Sequence, residues 1–179
     1  MATKYTPEEI EHHLKYEVEM LNGSYALIDT IDSLLTAANA GGLEKQVSVN
    51  ALKEDFCVHA RALIEFFTDD RDNSASDFAG NYNIPPLQKN VIRKLNNQIS
   101  HLMDCRTRDN AKKILDTDRA KIMRWLRTEL TAFKASLTAP YDSIQIPDVL
   151  AIPQTIATAG LASATNAIIA VSVIIPPQN

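Results

Sequence analysis

The chain is poor in the residues that build turns and cross-links. Five glycines in 179 residues argue against a hairpin-rich β fold and leave long Ala/Leu/Glu/Lys/Arg-rich stretches free to form helices. The two cysteines, Cys57 and Cys105, make neither a disulfide framework nor a metal-ligand spacing. Cys57 lies in an apolar helical run and reads as a small core residue. There is no His-Glu-x-x-His, no Cys-x-x-Cys, no phosphate-cradling glycine loop and no Gly-x-Ser-x-Gly, so the commonest metal, nucleotide and serine-hydrolase signatures are absent. No cofactor and no metal are expected. The start, Met1-Ala-Thr-Lys-Tyr5, leads into acidic residues without a signal-peptide pattern, so a reducing cytoplasm is the expected setting.

What is present is an uneven charge. Residues 1–80 carry 6 Lys/Arg against 15 Asp/Glu, residues 81–128 carry 11 against 4, and residues 129–179 carry 1 against 3, which sums to the net −4. A basic middle of net +7 beside an acidic first part of net −9 has two readings: it meets phosphates, or acidic and basic helices attract each other within the fold or across a dimer.

Helical periodicity is clear. Thr6-Pro-Glu-Glu9 joins a cap residue, proline at the first helical position and glutamate at the third. Ile10, Leu14, Val18 and Leu21 follow as one stripe, and Tyr25, Ile28, Ile31 and Leu35 continue it past Asn22-Gly23. This predicts one helix to about Ala40, or two with a kink, ended by Gly41-Gly42. A second helix is expected from near Ser48 or Asn50, with Leu52, Phe56, Ala60, Leu63 and Phe67 inward. Residues 69–86 read as a polar loop containing a solvated acidic turn, Asp69-Asp70 and Asp72. Another helix, from about Pro86 to Met103, buries Leu87, Val91, Leu95 and Leu102. After a polar stretch, Thr117 or Asp118 caps a last helix with Ile122, Trp125, Leu126, Phe133 and Leu137 on its apolar face, and Pro140 ends it. These stripes predict an all-α fold, an antiparallel up-and-down bundle of four or five helices over residues 1–139. Residues 140–179 form a tail with five prolines and two charges, Asp142 and Asp148. Its uncharged run, 156–175, is long enough to span a bilayer. It is also interrupted by Thr, Gly, Ser and Asn and lacks flanking Lys or Arg. A flexible or loosely docked, non-globular tail is therefore expected rather than a membrane anchor, and an extended segment packed on the bundle or on a second subunit is the other alternative.

Three histidine positions carry the chemical interest. Asn97 and His101 are four apart and share a helix face, with Arg93 one turn back and rotated. A cation, an amide and an imidazole in a row suit phosphate chemistry, with histidine moving a proton at a ribose 2′-hydroxyl and arginine stabilising the phosphorane. The other reading is a partly buried histidine bonded to a neighbouring helix. His59 lies on the core side of its helix, and a buried histidine bonded to a carboxylate or carbonyl is the simpler account. Arg61 points elsewhere and has Glu65 four residues on. His12 and His13 diverge by about 100° on a helix and cannot form a same-face metal pair.

Asn96-Asn97-Gln-Ile-Ser-His101 resembles the Arg-Asn-x-x-x-His motif of HEPN domains, helical-bundle proteins of which many are metal-independent RNases in bacterial defence and toxin–antitoxin systems. The segments His59-Ala-Arg-Ala-Leu-Ile-Glu-Phe66 and Tyr16-Glu-Val-Glu-Met-Leu21 resemble elements of uncharacterised bacterial HEPN-like proteins in the same order, and the likeness covers roughly residues 14–135. The resemblance implies His101 as general acid/base and Asn97 as its orienting partner. Asn96, Arg93, Arg106, His59 and Arg61 would contact substrate. It implies a homodimer, and RNA or a nucleotide as ligand. Asn96 stands where the motif has its arginine, and Arg93 and Arg106 are both misplaced to replace it. An amide supplies no fixed positive charge for a phosphate clamp. Two expectations follow: an RNA- or nucleotide-associated protein with weak RNase activity, or a non-catalytic dimerisation or protein-interaction module on the same fold. Membrane is not among the expected partners.

Overall fold

A computed structural model describes residues 5–68, 73–79, 87–99 and 113–151. Among the described residues the structure is all-α, with α1 (Pro7–Ala37), α2 (Gly42–Thr68), a single turn α3 (Ala75–Phe78), α4 (Lys89–Ile99) and α5 (Asp116–Ser136). α1 and α2 form a long antiparallel hairpin, and α3, α4 and α5 pack against α2.

The start of α1 follows from its sequence. The Glu9 amide donates to Thr6 Oγ1 at 3.2 Å, and the Thr6 amide donates to Glu9 Oε2 at 2.8 Å, which satisfies two helix-end donors reciprocally. α1 then runs unbroken through Asn22-Gly23. The Ser24 hydroxyl bonds back to the carbonyls of Met20 and Leu21, so this polar triplet stays helical. Its buried stripe is Ile10, Leu14, Val18, Leu21, Ser24 and Ile28.

The turn after α1 differs from the expected one. Asn39, with φ 49°, is the left-handed residue; asparagine tolerates that region because its short side chain bonds locally. The glycines do not terminate the hairpin arm. Gly42 is the first residue of α2, which therefore begins well before Ser48. α5 likewise starts earlier than expected. Leu115 is its N-cap, and Asp118, three residues on, accepts from the Leu115 amide at 3.2 Å.

At the end of the bundle away from the α1–α2 turn, an aromatic cluster closes the core. Phe66 and Phe67 of α2 lie edge-on to Phe133 of α5 at 5.4 and 5.8 Å, and Phe78 of α3 meets Tyr141 at 5.0 Å. Such pairs add to their burial by about 0.5–1.5 kcal/mol each. The packed body does not stop at Pro140, which follows a cis peptide. Residues 141–151 form an extended strap with Ile144, Ile146 and Val149 buried. Tyr141 Oη donates to the Tyr5 carbonyl, the Gln145 amide to Glu11, and Asn22 bonds both the Asp148 carbonyl and the Leu150 amide. The strap thus tracks α1 from its N-terminus to its middle. The apolar run 156–175 lies outside the described residues. No helix among the described residues is long and apolar enough to cross a membrane.

Candidate functional site

His59 is the centre of the most organised polar cluster. It is buried on α2, in phase with Phe56 and Leu63, and its ring reaches towards α1. Glu17 Oε2 lies 2.7 Å from Nδ1, and Asp55 Oδ1, one turn earlier on α2, lies 3.3 Å from Nε2. The Tyr16 ring stands edge-on to the imidazole at 5.5 Å. Helical spacing explains the set: Asp55 and His59 share a face at i and i+4, and Tyr16-Glu17 sits beside Val18 on the stripe of α1 that meets α2.

The chemistry of this cluster is closed. Ionised carboxylates only accept hydrogen bonds, so carboxylates on both ring nitrogens match an imidazole that donates from both. Neither nitrogen then has a lone pair free to take a proton from a substrate or to ligate a metal. The immediate surroundings are also acidic, which opposes a phosphate. The nearest arginine in sequence, Arg61, is exposed and its Nε donates to Glu65 Oε1 at 2.7 Å.

The α4 residues are placed differently. Arg93 and Asn96 are exposed and Asn97 is half-buried. His101 and Arg106, the expected general acid/base and one expected cation, lie outside the described residues, as does the acidic turn at 69–72. The described positions therefore bring His59 together with Glu17, Asp55 and Tyr16, while Arg61 is held by Glu65.

A second polar cluster was legible only in hindsight. Arg119 is buried at the start of α5, in phase with Ile122 and Leu126. Its Nη2 is 2.7 Å from Asp116 and 3.7 Å from Asp29 of α1, and its guanidinium lies 5.5 Å from the Tyr25 ring centre. Nε has no partner. The hydrogen bond from Arg119 holds the Asp116 carboxyl below its usual range. Burial pushes the Tyr25 hydroxyl upward against the opposing pull of Arg119, and burial pushes the Cys57 thiol up to about 12. Nearby, Lys94 of α4 donates to Asp118 at 2.7 Å, with the Asp118 side chain buried. These contacts lock α5 to α1 and α4. A signal did exist, an arginine at a core phase three residues after an aspartate.

Among the described residues no group of three His, Cys, Asp or Glu side chains is arranged to hold a metal ion. No protein-family model, curated protein or solved structure matches this chain.

Proposed function

We propose that this chain is a non-catalytic helical interaction module, a homodimer on a HEPN-like bundle. The observation that carries the reading is the engagement of both His59 nitrogens by Glu17 and Asp55. A buried, doubly bonded imidazole serves as a tie between α1 and α2 rather than as an acid or base. Asn96, standing in place of the motif arginine, agrees with it. The test is RNA turnover without metal by the full chain and by His101→Ala. The module reading expects equal rates at background level; turnover that falls with the substitution contradicts it.

A second reading keeps RNA or a nucleotide as ligand. It is favoured by the exposed cations Lys89 and Arg93 of α4 and Lys121 and Arg124 of α5. Charge contacts of this kind bind phosphate backbones without sequence preference and weaken steeply with salt. Arg93→Ala with Lys89→Ala would then lower RNA retention at low salt. Unchanged retention removes this reading and leaves a protein partner.

A further inference from the structure

The side of α1 turned away from the core stripe carries a second, unburied apolar row. Tyr16, Met20, Gly23, Leu27, Thr30 and Leu34 are spaced alternately by four and three residues. That is the 3.5-residue repeat of a seam that packs against another helix. Within the chain the row is left open: Tyr16, Leu27 and Leu34 are 51%, 44% and 59% exposed. The Thr30 hydroxyl is turned back onto the Ala26 carbonyl at 3.3 Å, leaving its methyl free for an apolar contact. Residues 29–48, the tip of the hairpin, contain no buried residue at all.

Gly23 is an independent sign. Glycine inside a helix is unfavourable relative to alanine, and nothing in the fold requires it here. Its φ is not positive, and a Cβ at this position would meet nothing within 4 Å. A glycine midway along an exposed apolar row makes sense where another backbone comes close. We infer that α1 pairs with α1 of a second copy of this chain, antiparallel, with the two-fold axis near Gly23. The inference deepens the module reading above and rests on it.

Charge selects both the partner and the direction. The carboxylates of α1 gather in its first half, at Glu8, Glu9, Glu11, Glu17 and Glu19, while the outer leucines lie in its second half. Parallel pairing would stack acidic half on acidic half. Antiparallel pairing lays each acidic half along the partner's leucine-bearing half, where the carboxylates are already engaged: Asp29 contacts Arg119 at 3.7 Å and Asp32 contacts Lys45 at 3.1 Å. The arrangement is self-complementary, as a two-fold interface must be.

The test uses the full chain with Cys105→Ser, so that Cys57, which is buried, is the one native thiol left. Gly23→Cys places two thiols across the two-fold axis, whereas Leu34→Cys places them far apart at opposite ends of the pair. Under oxidised glutathione we expect an inter-chain disulfide for Gly23→Cys and none for Leu34→Cys. Sedimentation should show a dimer for the wild type. A separate Gly23→Leu variant should weaken association by at least about tenfold through loss of the close approach, with helix content unchanged or higher. A monomeric wild type, linkage of both cysteine variants, linkage of neither, or a dimer indifferent to Gly23→Leu each overturns the inference. None of these results touches RNA turnover, so failure of the interface and failure of the non-catalytic reading are told apart.

Discussion

The two sides of α1 are built from similar residues and meet opposite fates. On the inner side Leu14, Val18, Leu21 and Ile28 are at most 3% exposed, because α2 covers them. On the outer side Leu27 and Leu34 repeat with the same regularity and remain open. Apolar periodicity forms the helix in both cases; burial depends on whether an element exists to cover it. The inner stripe accounts for the stability of one chain, and the outer row for what that chain does with a second copy.

The largest effect that separates the two sides is a core truncation. Leu21→Ala should destabilise the chain by about 2–5 kcal/mol, independently of protein concentration, as read from urea unfolding. Leu27→Ala should change the stability of the isolated chain by less than about 0.5 kcal/mol while weakening self-association. A large, concentration-independent loss for Leu27→Ala would erase the distinction.

A smaller effect is expected at Arg119. Its partners Asp116 and Asp29 are exposed, 80% and 85% at the side chain, so removing the arginine strands no buried carboxylate. Arg119→Met should therefore be neutral or stabilising, by up to about 1 kcal/mol. A clear loss would show that the guanidinium is needed to hold α5 against α1.

Cys57 sharpens the comparison by reactivity. A thiol pushed up to about 12 by burial has almost no thiolate near neutral pH, so Cys57 should resist alkylation in the native chain and react on unfolding, as peptide mapping would show. The sign of its linkage follows: an unfolded thiol ionises from its model value of 9.0 while the folded one does not. Stability should be unaffected by this group below pH 9.0 and should fall as pH rises towards 12.

The smallest effect concerns the strap. The hydrogen bond from Lys134 holds Asp148 below its model value of 3.8. That contribution is present above pH 3.8 and is lost as pH falls through the lower folded value. Amide exchange at 144–149 should therefore quicken in acid before the α1–α2 core opens. An unchanged rate would show that Asn22 and the buried Ile144 and Ile146 hold the strap without the ion pair.

Much of the fold was legible because its signals are local. The Thr6–Glu9 cap, the inner stripe of α1 and the core phases of α2, α4 and α5 need only helical spacing. The α1–α2 turn was misread because a Gly-Gly pair outweighed Asn39, whose positive φ depends on how α2 returns. The strap at 141–151 escaped periodicity altogether: its bonds to Tyr5, Glu11 and Asn22 span more than a hundred residues. At the candidate site, the i, i+4 pairing of Asp55 with His59 was readable. Glu17 was not, since only the register of α1 against α2 brings its carboxylate to Nδ1. The outer row of α1 was also passed over, because a seam shows itself only after the inner face has been accounted for.

The central claim is that His59 ties α1 to α2 and performs no chemistry. Thermal unfolding of His59→Ala beside the wild type, with RNA retention measured on the same samples, tests it most directly. The account predicts a loss of about 1–3 kcal/mol for the severed buried hydrogen bonds with retention unchanged. Unaltered stability together with lost RNA retention or turnover would contradict it.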